Sequence, residues 1–165
     1  MVILMSKIRE LIRDDNSILV FDIDGVLAVM EWGEYHHFAL TDEQWDISCK
    51  QGINLYTEDK VSKKMQNFLK NRDMSRIYVL SVIGDENEGD FKKEYVSKYY
   101  NIPVENVYCV KHNCDKTTEI AKIKEKYPEL EDYKIVMIDD TVSILNDIMY
   151  KTEFSTVHIS SFLDI

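Results

Sequence analysis

Asp22 and Asp24 stand two residues apart at the end of the apolar run Ile18 to Phe21, and Gly25 follows them. In an extended strand, residues two apart point to the same side, so both carboxylates can address one spot. Carboxylates that close repel each other unless a cation lies between them, and hard oxygen ligands suit Mg²⁺. Gly25 lets the chain turn away sharply just beyond them. The same four residues also read as an Asp-Gly turn with two solvated acids.

Three further positions carry similar double readings. Ser81 follows the apolar run Ile77 to Leu80; it is either a lone functional hydroxyl at a strand end or a cap for the next turn. Asp139-Asp140-Thr141 follows KIVMI (134–138). That acidic pair again calls for a cation, or caps the start of a helix, and both can hold together. Lys116 opens a helix, where the backbone dipole prefers anions. It is either a solvated lysine balanced by Asp115 and Glu119, or a cation that faces incoming phosphate. Lys111, at the tip of the preceding strand, is the alternative for that role.

The elements that must position these groups are legible from periodicity. Apolar residues at Ile3, Leu4, Ile8, Leu11 and Ile12 predict a helix over 2–14. SILVFDID (17–24) predicts a buried strand with a polar tip. Residues 28–57 lack clean periodicity. A helix over 59–72 then precedes a strand over 76–81, and the alternation repeats: helix 88–100, strand 106–110, helix 115–127 halted by Pro128. Strand 134–138, helix 142–150 and strand 154–160 complete it. Five strands alternating with helices predict an α/β fold, a Rossmann-like three-layer α/β/α sandwich around a five-stranded parallel sheet. In such sheets ligands sit outside the carboxyl ends of the strands, where strand order reverses.

Composition narrows the function classes. The 165 residues fit a single domain over 1–165 with 45% hydrophobic and 30% charged residues, and five Gly and two Pro leave little linker material. Twenty basic residues against thirty acidic give a net charge of −10. That sign disfavours nucleic acid and anionic membrane as partners, but not small phosphorylated substrates, because a bound cation reverses the local field. Cys49, Cys109 and Cys114 have no metal-ligand spacing and read as thiols of a reducing, cytoplasmic setting. The apolar start MVILM is too short for a membrane span.

Together the four motifs resemble the haloacid dehalogenase-like hydrolase superfamily, in its small-cap or capless phosphatase branch. Asp22, Asp24 and Gly25 match its first motif, Asp-x-Asp-Gly. Ser81 matches the second, Lys116 the third, and Asp139 with Asp140 the fourth. The resemblance covers the chain outside 28–57. It implies a Mg²⁺-dependent phosphatase in which Asp22 is the nucleophile and Asp24 the general acid and base. Asp22, the carbonyl of Asp24, and Asp140 with Asp139 behind it would hold the metal. Ser81 and Lys116 would hold the phosphate. The sequence departs from the family where many members carry another Asp or Asn four residues beyond the acidic pair: Ile144 stands there.

Residues 28–57 are too few for a full cap and predict a flap or small helical insert. Its Trp32, Tyr35 and Trp45 either stack on a substrate or pack the insert down, and His36 and His37 diverge as surface residues. Tyr95, Tyr99 and Tyr100 read as core and surface of a helix. A phosphotransferase or mutase on the same scaffold is one rival, though it needs a shielded phosphoenzyme. A phospho-receiver domain is a second, but its acidic pair ends the first strand, not the fourth. A catalytically silent binding protein is the third. The substrate and the oligomeric state are left open.

Overall fold

The computed structural model describes residues 2–29, 41–57 and 60–163. Its main sheet has five parallel strands: β1 (Ile18–Phe21), β4 (Ile77–Val82), β5 (Val107–Val110), β6 (Ile135–Asp139) and β7 (Ser155–His158), in the order β5-β4-β1-β6-β7. The chain runs outward from β1 through β4 to β5, then crosses back to β6. Strand order therefore reverses between β1 and β6, where Phe21 pairs in register with Ile138. The crevice of a doubly wound sheet opens at that point.

The strands form the centre because their residues are apolar on both faces. Ile18, Leu19, Val20 and Phe21 are all fully buried, as expected for a parallel strand covered on both sides. Leu19, Phe21, Val79, Val136 and Ile138 face one core, beneath helices α1 (Val2–Arg13), α3 (Lys63–Leu69) and α4 (Glu86–Tyr100). Ile18, Val20, Leu80, Ile135 and Met137 face the other, beneath α5 (Asp115–Glu125) and α6 (Val142–Lys151). Each such side chain contributes about 1.5–3 kcal/mol by leaving water. The three-layer α/β/α architecture expected from the sequence is the one observed.

The differences are local and have physical causes. The strand expected over 17–24 ends at Phe21, with a last bond from the Asp22 N–H to the Ile138 carbonyl; beyond it the Ile23 carbonyl accepts the N–H groups of Val26, Leu27 and Ala28 and curls the chain. The helix expected over 59–72 is confined to Lys63–Leu69. Ser62 caps it, its Oγ accepting from the Met65 N–H, and Lys60 and Val61 are drawn into a strand instead. The last strand closes at His158 and not at residue 160.

The insert contains α2 (Asp42–Lys50), closed by a Thr41–Gln44 capping box, and a short 3₁₀ turn at Leu55–Thr57. It is bracketed by a small antiparallel pair, β2 (Ala28–Val29) with β3 (Lys60–Val61), which the sequence pattern does not announce. The Leu27 carbonyl beside this pair accepts from Ser62 N–H and from the phenols of Tyr95 and Tyr100. Tyr95 and Tyr100 are buried and Tyr99 is partly so. Trp32, Tyr35, His36 and His37 lie outside the described residues.

Candidate active site

The carboxyl ends of β1, β4 and β6 and the start of α5 border a cleft of about 550 Å³. Asp22, Asp24, Ser81, Lys116 and Asp140 all line it. Asp139 is fully buried just behind. A larger cleft of about 730 Å³, lined by Asp14, Lys134 and Ser155, lies at the amino ends of β1, β6 and β7. Lys134 there is paired with Asp14 at 3.2 Å, and the cleft lies on the edge opposite to the one where such sheets bind ligands.

Lys116 is 1% exposed, with its Nζ 2.8 Å from Asp139 Oδ2 and 3.2 Å from Asp22 Oδ1. Its cation at a helix start is thus balanced by β1 and β6, not by Asp115 and Glu119. Lys111 is exposed and does not line the cleft. The remaining oxygen of Asp139 accepts the Thr141 N–H at 2.9 Å, which fixes the turn into α6.

Asp22 and Asp24 do not share one partner as an extended strand would allow. After the curl at Ile23 they diverge, Asp22 toward Lys116 and Asp24 toward Lys92, whose Nζ is 2.8 Å from Asp24 Oδ2. The other Asp24 oxygen accepts from the Tyr56 hydroxyl at 2.9 Å. Tyr56 belongs to the insert and stacks edge-on with Trp45 at 5.7 Å, so Trp45 serves packing.

Burial pushes the Asp22 carboxyl up to about 6, with Asp139 and Asp24 adding to the effect and Lys116 opposing it. Burial also raises Asp140, with Asp139 adding to it. Lys92 is pulled down by burial, but Asp24 and Glu88 outweigh that and hold the ammonium above its ordinary range. Five carboxylates (Asp22, Asp24, Glu88, Asp139, Asp140) face two lysines here, a formal excess of three negative charges.

That excess fits a divalent cation. One carboxylate oxygen from each of Asp22, Asp139 and Asp140 lies within 4.8 Å of the others. Asp22 Oδ1 is buried with no aligned hydrogen bond, despite its proximity to Lys116. Gly25, at φ 74°, leaves room for the third acid: a Cβ there would stand 2.2 Å from Asp140 Oδ2. Asp22 and Asp140 are therefore the candidate ligands, with Asp139 supporting them through Lys116 and Thr141. Ile144 lines the cleft at the position where the resemblance leads one to look for another polar group.

Sequence reasoning missed Lys92, Glu88, Tyr56 and His158. His158 Nδ1 accepts the Ser160 N–H, so Nε2 carries the proton it donates to the Asp140 carbonyl at 3.0 Å. Its register position beside Asp139 on β7 is the one available signal.

No family model and no curated protein matches this sequence. Among solved structures, that of DsGPDH of Dunaliella salina is similar, with a TM-score of 0.56 at 16% sequence identity. The match covers 93% of this chain and 25% of that one, so the chain spans a quarter of that structure's length. The likeness bears on the Rossmann-like fold alone. Among the described residues no helix is long and apolar enough to cross a membrane.

Proposed function

We propose that this chain is a Mg²⁺-dependent phosphohydrolase that cleaves phosphate monoesters through an aspartyl-phosphate on Asp22. The observation that carries the reading is the convergence of Asp22, Ser81, Lys116 and Asp140, from four separate segments, on one cleft at the carboxyl edge of the sheet. The motif resemblance adds the assignment of roles.

Asp22 attacks phosphorus, forming the new P–O bond as the bond to the leaving oxygen breaks. Asp24 delivers a proton to that oxygen, then takes one from the water that attacks the phosphoenzyme, which frees phosphate and restores Asp22. Ser81 donates its hydroxyl, and Lys116 its ammonium, to the phosphoryl oxygens, where charge spreads in the transition state. Asp22, Asp140 and the main-chain carbonyl of Asp24 would hold Mg²⁺, which would supply screening between the attacking carboxylate and the anionic substrate.

Phosphate release from a panel of phosphorylated metabolites is the direct test. Activity should vanish with a chelator and return with Mg²⁺; full activity without a divalent ion, or with zinc alone, contradicts the reading.

Asp24→Asn tests the acid. It should lower turnover by roughly 10² to 10⁴, the usual worth of general acid–base catalysis. The loss should be greater for an alkyl phosphate than for nitrophenyl phosphate, because a phenolate leaves with little protonation. Equal slowing of both esters, with phosphoenzyme formation limiting, removes Asp24 from that role.

A further inference from the structure

Lys92 sits in the middle of α4, 1% exposed, and its ammonium reaches four oxygens from three parts of the fold. Asp24 Oδ2 is at 2.8 Å, Ser81 Oγ at 3.0 Å and Glu88 Oε1 at 3.0 Å, with the Val82 carbonyl also accepting. An ammonium has three protons and no acceptor. The direction of each contact is therefore forced: Ser81 accepts from Lys92, and its own proton is left to point elsewhere. Ser81 lines the cleft, so that proton is available to an anion there, and accepting from a cation makes the hydroxyl a stronger donor.

The same ammonium fixes Asp24. One carboxylate oxygen is held by Lys92 and the other by Tyr56, which leaves the carboxylate little rotational freedom. Glu88 completes the support from below, taking Lys92 on Oε1 and the Gly84 N–H on Oε2 at 2.8 Å. A buried ion network is costly to assemble and gives little net stability, but it fixes geometry. This one joins the tips of β1 and β4 through a single side chain.

We propose that Lys92 is a positioning residue that aims the Asp24 carboxylate and the Ser81 hydroxyl into the cleft, with Glu88 seating it. The inference rests on the phosphohydrolase reading for its kinetic consequence, but not for its structural one.

Two readouts test it on the full chain. In crystal structures of Lys92→Met, Asp24 and Ser81 should each spread over more than one side-chain rotamer where the wild-type protein holds one. In kinetics, kcat for an alkyl phosphate should fall by about 10²-fold, and less for nitrophenyl phosphate, as expected when a general acid is mis-aimed. If Lys92→Met does not fold, Lys92→Met/Glu88→Gln removes both buried charges while keeping an oxygen for Gly84, and is judged by the same rotamers. Wild-type rotamers at both Asp24 and Ser81, in whichever variant folds, overturn the proposal. Equal kcat losses on the two esters overturn the aiming of Asp24. If the wild-type protein releases no phosphate, the phosphohydrolase reading fails, and the crystallographic comparison still decides what Lys92 holds.

Discussion

Asp22→Asn is expected to lower phosphate release by about 10⁴-fold or more, the scale of losing a covalent nucleophile. The amide is a poor nucleophile and a poorer metal ligand, so acid-quenched, denatured protein should carry no acyl phosphate. The substitution should not destabilise the metal-free fold. Burial, with Asp139 and Asp24 adding to it, pushes the Asp22 carboxyl upward against the pull of Lys116, and a neutral isostere removes the cost of burying that charge. The melting temperature without Mg²⁺ should therefore stay level or rise, while the increment gained by adding Mg²⁺ should shrink. Substantial residual turnover by Asp22→Asn removes the covalent mechanism. A large drop in melting temperature instead makes Asp22 a structural anchor.

Lys116→Met should have the largest effect on stability. Its ammonium is the partner of both Asp22 and fully buried Asp139. Removing the cation from a buried ion cluster that is already in negative excess typically costs about 3–5 kcal/mol, because the remaining acids lose their compensation. Urea unfolding should report that loss, and Mg²⁺ should recover part of it by neutralising the same acids. Lys111→Met is the control: Lys111 is exposed, and the change should stay within about 0.5 kcal/mol. If the two variants unfold alike, the role given to the Lys116 cluster is wrong.

The strand tips were legible because each combines two signals that seldom coincide, a continuous apolar run and an abrupt acid or hydroxyl. Asp22 and Asp139 sit at the points where β1 and β6 lie side by side, and the alternation of strands and helices already implied that neighbourhood. Lys92 was illegible for the opposite reason. In the sequence, Glu88 and Lys92 look like any solvated pair one helical turn apart, in a segment crowded with Asp90, Lys93 and Glu94. Only the seating of α4 against the end of β4 turns that pair inward. Tyr56 was hidden by distance: its contact with Asp24 spans 32 residues of an aperiodic stretch. The divergence of Asp22 and Asp24 was lost because a period of two assumes a straight strand, and the curl at Ile23 depends on three backbone donors that no side chain advertises.

The pairing of Ala28–Val29 with Lys60–Val61 brings the two ends of the insert together at a single doorway. The hinges of that doorway, Tyr95 and Tyr100 on the Leu27 carbonyl, belong to the body and not to the excursion. Closing a loop costs only about 0.6 kcal/mol more each time its length doubles. The excursion can therefore change length at little cost to the sheet, provided that Tyr56 keeps its place on Asp24. The fold is a socket: the acids are wired into the chassis, and the part plugged in beside them reaches back to Asp24 through Tyr56.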